Sequence, residues 1–216
     1  MKIFPSAYLP SVGYFAELIG SADSLIDVAE HYLKRSVRNR TQIVTAQGAM
    51  SLTVPVRNAN RMRQPMCEVE IDYSKRWQHQ HWVTILSAYR SSPYFDHYAP
   101  YLEPLYRVEW PTLVEFNEAL MVVIIKMLTM GQRVGGESLA LNYSYSKEYV
   151  ETSVDVIDLR TKTALSNEAL ASRGTVLPQY MQVFGDRLPF VDNASILDLI
   201  FCEGTNALAL LAAARL

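Results

Sequence analysis

The hydrophobic period of this chain changes near residue 75, and that change limits what the chain can fold into. Before it, apolar residues come in short β-branched runs. Thr41 to Ala46 and Ser51 to Val56 flank Gln47-Gly48, the pattern of a two-stranded hairpin, and Pro55 marks a sheet edge or a strand end. Glu68 to Ile71 alternates like a further strand. From Trp77 the period becomes helical, with Trp82, Ile85, Leu86 and Tyr89 on one face of a helix over 77–89. Pro93 to Tyr106 reads as a second helix, kinked or broken near Pro100 and Pro104. Pro111 stands where an N1 proline belongs for a third helix, which runs from Leu113 to Met130 and stops at Gly131. The second half of that helix is apolar nearly all round, so it is expected to be buried. The fold class is therefore α/β: a mixed sheet with a hairpin and an inserted or packed three-helix block over about residues 75–130.

Ahead of the hairpin, Ile3-Phe4 is strand-like. Ser11 is a plausible N-cap for a helix carrying Val12, Phe15, Leu18 and Ile19, with Gly20 as its stop. Residues 24–33 fit either a helix or the exit from a short strand, and the pattern leaves both open. Beyond the helical block, Gly135-Gly136 opens a strand-like run over Ser138 to Tyr145. Asp155 to Leu159 and Tyr180 to Phe184 are also strand-like, and a helix starts at Ser195. No internal repeat, low-complexity tract or Gly/Ser linker divides the 216 residues, so 1–216 reads as a single domain.

Half of the chain is hydrophobic and 19% is charged, which excludes intrinsic disorder. Twenty Lys plus Arg against 22 Asp plus Glu exclude a globally basic nucleic-acid coat, so nucleic acid is not an expected partner. Met1 to Ser6 lack the apolar run of a signal peptide, and the apolar window 119–130 is interrupted by Lys126. No membrane span and a cytoplasmic location are the expectation. Cys67 and Cys202 lack zinc spacing and read as free core thiols.

Charge is nevertheless concentrated. Lys34-Arg35-Ser36-Val37-Arg38-Asn39-Arg40 places four cations in seven residues, with arginine suited to bidentate phosphate or carboxylate recognition. The plainer reading is a solvated strand entry whose arginines pair with Glu17, Glu30 or other carboxylates. His79 and His81 are two apart and point to nearly opposite sides of a helix, so they make no metal clamp, and no metal is expected. His31 sits beside the basic run and is a candidate acid or base. Ser195-Ile196-Leu197-Asp198 resembles a capping box, with Asp198 as the competing catalytic reading. Tyr8, Tyr14, Tyr89 and Tyr94 are candidates to line a pocket, each offering an apolar face and a hydroxyl. No Walker A loop, G-x-S-x-G elbow or G-x-G-x-x-G fingerprint occurs.

Several stretches together resemble the WbqC-like family of bacterial proteins. They are Tyr8 to Phe15 (YLPSVGYF), Glu30 to Arg40 (EHYLKRSVRNR), Leu52 to Val56 (LTVPV), His81-Trp82 with Ala88-Tyr89, Pro93 to Phe95, and Ser195 to Phe201 (SILDLIF) before Glu203-Gly204. The match keeps its order over nearly the whole chain. Ser11 and Val37 stand where many members carry other, often aromatic, residues. The resemblance implies a role in O-antigen or other surface-polysaccharide biosynthesis, as a transferase of glycine or a similar aminoacyl group. It carries over no established catalytic residues and leaves the cofactor unknown. The residue chemistry supplies the rest. Lys34, Arg35, Arg38 and Arg40 would neutralise the phosphate of a phosphorylated or nucleotide-activated small molecule, and Asn39 would orient it. Tyr8, Tyr14, Tyr89 and Tyr94 would wall the pocket, and His31 or Asp198 would accept a proton. The competing class is a non-catalytic binding or scaffold protein of the same pathway, or a nucleotide-binding protein.

Overall fold

The computed structural model describes residues 1–58, 63–131, 133–134, 137–138 and 141–214, so Gly135-Gly136 and part of the polar 58–65 segment lie outside the described residues. The fold is mixed α/β. Its centre is a four-stranded parallel sheet containing β1 (Lys2–Pro5), β2 (Ser24–Asp27), and two short strands from late in the chain, one at Ser144–Tyr145 and one at Ile157–Asp158. The hairpin is a separate antiparallel pair, β3 (Arg40–Thr45) and β4 (Gly48–Thr53). A small pair, β5 (Arg133–Val134) and β6 (Glu137–Ser138), precedes the two late strands, which become β7 and β8.

The sheet order is β7-β2-β1-β8. Lys2 to Pro5 register with Ser24 to Asp27 on one side, and Lys2-Ile3 with Ile157-Asp158 on the other. All four residues of β1 are buried, as expected of a parallel strand covered on both faces. Helix α1 (Val12–Ile19) makes the crossover from β1 to β2. Ser11 caps it by accepting from the Tyr14 N–H. Residues 24–33 resolve as strand β2 followed by an irregular loop. The chain steps from β1 to β2 on one side and returns later to β8 on the other, so β1 is a topological switch point.

The helical block comprises α2 (Trp77–Tyr89), α3 (Phe95–Leu102), a 3₁₀ turn (Glu103–Tyr106) and α4 (Leu113–Thr129). Pro100 lies inside α3, and Pro104 falls in the 3₁₀ turn. Thr112, not Pro111, opens α4 by capping the Glu115 N–H, which puts the proline ahead of the cap. Val122 on α4 is exposed, so the apolar second half buries one broad face rather than its whole girth. The block is tied to the rest by polar bonds inside an aromatic cluster. The Tyr8 hydroxyl lies 2.8 Å from His81 Nδ1 and 2.9 Å from the Tyr106 hydroxyl. Burial pushes His81 down to about 4 against a hydrogen bond to the Thr53 carbonyl. The ring is thus neutral at pH 7 and accepts the Tyr8 O–H.

Several expectations shift. The hairpin turns at Ala46-Gln47, one residue early, with Gly48 (φ +96°) opening the second strand. Glu68 to Ile71 forms no ladder: Met66–Glu68 is a 3₁₀ turn, and Glu70 and Ile71 make isolated bridges to Thr112 and Val56. Tyr180 to Phe184 is not a strand, because Tyr180 and Gln182 turn their polar groups to Asp198 and the Val191 carbonyl. Cys67 is exposed rather than a core thiol, and Cys202 is buried. Helices α5 (Asn167–Ser172), α6 (Ile196–Glu203) and α7 (Ala207–Ala213) complete the chain. Residues 196–213 are long and apolar enough to cross a membrane by length and composition. They are α6 and α7, interrupted at Gly204 (φ +58°), and most of the stretch is buried inside the fold.

Glu17 on α1 anchors that helix. Its carboxylate takes hydrogen bonds from Lys2, from Thr175 Oγ1 at 2.6 Å and from Arg173 Nε at 3.3 Å. Burial alone would raise this carboxyl, but the bonds from Lys2 and Thr175 and the charges of Lys2 and Arg173 bring it down to about 2. A depressed folded pKa stabilises above the unfolded value of 4.5 and is lost as pH falls toward 2. Glu17→Gln should therefore cost about 1–3 kcal/mol at pH 7, and the gap from wild type should close between pH 4.5 and 2 in chemical denaturation. Gly13→Ala tests the same helix by sterics. A Cβ there would meet Leu170 Cδ1 at 2.3 Å and Asn193 Oδ1 at 2.7 Å, so a loss of about 1–3 kcal/mol is expected.

Candidate functional site

The strands of the parallel sheet end together, and their carboxyl ends carry a buried charge network. Asp27, the last residue of β2, accepts from Arg160 Nη1 at 2.5 Å and from Ser146 Oγ at 2.8 Å. Arg160, just past β8, also grips Asp158 through Nε and Nη2, each at 2.9 Å. Arg38 is 1% exposed; it pairs with Glu30 and donates to the Arg160 carbonyl at 2.9 Å. Asn117 of the buried helix α4 donates to the Arg38 carbonyl at 2.9 Å and to Ser6 Oγ, past the end of β1, at 3.1 Å. Burial pushes Glu30 up to about 7, against the pull of Arg38 and with a push from Asp27.

Two clefts flank this network. The first, of about 300 Å³, lies between the β1–α1 loop (Tyr8 to Ser11), residues 35–37, the start of β3, and Lys162 and Asn193. Arg35, Arg40 and Lys162 are exposed, and none of the three makes an ion pair among the described residues. Arg40 Nε donates to Thr53 Oγ1 at 3.2 Å, which steers the guanidinium without neutralising it. Backbone strain concentrates in the same walls. Among the described residues five non-glycines have positive φ, and Leu9 (42°), Arg35 (53°) and Asn193 (54°) all line this cleft. Such conformations cost on the order of 1 kcal/mol each and persist where surrounding contacts enforce them, which is commonest at binding sites. Here the Leu9 carbonyl accepts from Thr41 Oγ1 at 2.7 Å and Ser195 Oγ at 3.2 Å. Asn193 is held by the Gly13 N–H on Oδ1 and by the Leu165 carbonyl on Nδ2.

The starts of α1 and α6 meet beside this cleft through a Ser11–Ser195 bridge. Their first N–H groups are already used: Val12 by the Ala194 carbonyl, Gly13 by Asn193, Tyr14 by Ser11 and Ile196 by the Pro10 carbonyl. The positive character of the cleft therefore comes from the three side chains and not from open helix ends. Among the described residues, no carboxylate or histidine lines it.

The second cleft, of about 190 Å³, is lined by Glu30, His31, Leu33, Arg38, Tyr149, Asp158, Arg160 and Thr161. His31 is exposed and lies against Tyr149, with ring centres 6.0 Å apart and planes 23° apart.

The structure separates the residues that the sequence grouped. Tyr8, Arg35 and Arg40 line the first cleft, and His31 and Arg38 the second. Lys34 and Asn39 line an adjoining hollow of about 280 Å³ that shares Arg35 and Arg40. Asn39 is buried and ties the basic run to the hairpin, its Nδ2 donating to the Val54 carbonyl at 2.9 Å. Tyr14 is buried and donates to the Pro5 carbonyl, and the buried Tyr89 hydroxyl accepts the Val44 N–H. Tyr94 packs its ring against Gly204, where an added Cβ would meet it at 2.5 Å. Asp198 is fully buried and accepts from Tyr180 at 2.6 Å and Gln182 at 2.8 Å, pinning the 179–191 loop to α6. Burial raises its carboxyl, partly offset by those bonds. Sequence reasoning passed over Lys162, Asn193, Tyr149 and Arg160. Asp192-Asn193 is a turn signal that could have located one of them; an isolated cation or aromatic carries none. Among the described residues, no group of three or more His, Cys, Asp or Glu side chains is placed to hold a metal ion.

The WbqC-like protein family matches residues 6–173. An uncharacterised protein of Mycobacterium tuberculosis (strain ATCC 25618 / H37Rv), Rv1507c, is 32% identical over 224 residues, covering 96% of this chain and 95% of its own. No solved structure matches. The chain belongs to the WbqC-like protein family.

Proposed function

We propose that the first cleft binds the phosphate or diphosphate of a phosphorylated or nucleotide-activated small molecule, and that the protein is a transferase of surface-polysaccharide assembly, O-antigen included. The observation that carries the binding half is the coincidence, in one cleft, of three unpaired cations with three left-handed non-glycine residues. Arg35 and Arg40 offer planar forks for phosphate oxygens, and Lys162 adds a point charge from the opposite segment. Ser11, Gln42 and Asn193 supply neutral hydrogen-bonding groups around them. The transfer half rests on the family, whose resemblance implies glycine or similar aminoacyl transfer.

A second reading has its own support. Among the described residues no carboxylate or histidine lines the first cleft, so its walls lack the side chains that most often take a proton from an incoming nucleophile. A non-catalytic binding protein of the same pathway needs no such group. Turnover of a bound nucleotide-activated donor, offered amine and hydroxyl acceptors, separates the two readings: release of the leaving nucleotide marks a transferase.

Binding is tested first with inorganic diphosphate. At a hundredfold excess over its Kd it should stabilise the protein by about 2.7 kcal/mol, or roughly 5–10 °C in melting temperature. Arg40→Ala and Lys162→Ala should each weaken diphosphate by about tenfold while leaving the unliganded melting temperature near wild type. Arg38→Ala should do something different: it strands the buried Glu30 carboxylate and should cost about 3–5 kcal/mol of stability. A wild-type protein that ignores diphosphate and nucleotides alike would refute the anion site.

A further inference from the structure

We infer that the second cleft is a nucleoside subsite, in which a nucleobase stacks on Tyr149 while its diphosphate lies in the first cleft. The inference rests on the anion-binding reading above and names the part of the ligand that reading leaves open.

Tyr149 is 54% exposed although its ring has two neighbours and the adjoining backbone is tied down. Its neighbour Val150 donates its N–H to Asp27 Oδ2 at 3.3 Å, fixing the backbone to the end of β2. The Arg160 guanidinium, itself locked by Asp27 and Asp158, lies 4.8 Å from the ring centre. His31 stacks beside it at 6.0 Å. The residue stays more than half exposed while its orientation is set before any ligand arrives, so the ordering cost of base stacking is already met. Beside it, Asp158 is the one carboxylate of the network with an appreciably exposed side chain (26%, against 4% for Glu30 and 0% for Asp27), so it is the acceptor within reach of ribose hydroxyls.

The two clefts share a wall, and the inferred ligand reaches across it. They are two sides of the same partition: residues 33–38 give Arg35, Ser36 and Val37 to the first and Leu33 and Arg38 to the second. Residues 160–162 divide likewise, with Lys162 facing one cleft and Arg160 and Thr161 the other. The first cleft takes the loop that follows β1, and the second takes the loop that follows β2 and the end of β8, the strands on either side of β1. In open parallel sheets, that crevice is where a phosphorylated nucleoside fits, with phosphate over the first loop and nucleoside beyond.

The test is equilibrium binding of inorganic diphosphate, UDP, ADP and the free nucleosides uridine and adenosine to the full chain. Wild type is compared with Tyr149→Ala, Tyr149→Phe and His31→Ala. At least one nucleoside diphosphate should bind about tenfold or more tighter than inorganic diphosphate. Tyr149→Ala should erase that increment and leave inorganic diphosphate unchanged, Tyr149→Phe should keep it, and His31→Ala should reduce it in part. Equal affinities for diphosphate and both nucleoside diphosphates, or an increment that survives Tyr149→Ala, would overturn the nucleoside subsite while the anion site stands. Nucleoside binding that depends on Tyr149, without diphosphate binding, would keep the subsite and remove the anion site. No binding of any probe would remove both.

Discussion

The rest of the structure depends on one buried guanidinium, that of Arg38. Through its side chain it joins Glu30, on the loop leaving β2, to the backbone carbonyl of Arg160, on the loop leaving β8. Through its own carbonyl it accepts Asn117, and Asn117 reaches on to Ser6 beyond β1. Loops from three adjacent strands and the central helix of the helical block therefore meet at one residue. Burying charge of this kind is costly; pairing offsets part of that cost, while Arg38 Nε and Glu30 Oε1 are left without a hydrogen bond among the described residues. The return is positional: the loops that form both clefts are fixed relative to the sheet and to one another.

That arrangement explains why some of the chain can be read in the sequence and some cannot. Helices α1 and α2 are legible because Ser11 and Gly20 bracket the first and an unbroken 3.6-residue period runs through the second. The hairpin's turn and first strand are legible to within one residue, but its second strand runs over Gly48–Thr53, three residues ahead of the expected 51–56, because Gly48 in a left-handed conformation opens that strand instead of centring the turn. Strands β7 and β8 span two residues each, too short to carry a period, and their existence is set by pairing with β2 and β1 far away in sequence. Tyr180 to Phe184 alternates like a strand, but its polar residues are claimed by the buried Asp198 carboxylate, a partner that no local pattern announces.

The basic run makes the same point for the site. Arg35, Arg38 and Arg40 look equivalent in sequence, but the fold treats them differently. Arg38 is turned inward and pairs with Glu30. Arg35 sits in a left-handed conformation that carries it outward, and Arg40 opens an edge of the hairpin with an exposed side chain. Composition reveals that four cations are close together; only tertiary contacts decide which of them has a partner.

Those contacts also account for the charge left in the first cleft. The carboxylates of the sheet layer are already claimed: Glu30 by Arg38, Asp27 and Asp158 by Arg160, and Glu17 by Lys2 and Arg173. A chain with formal net charge −2 can therefore keep Arg35, Arg40 and Lys162 together without an internal anion to neutralise them. The inner network thus does two things with one set of pairings. It fixes the loops in place, and by using up the nearby carboxylates it leaves the outer cations available to a phosphate.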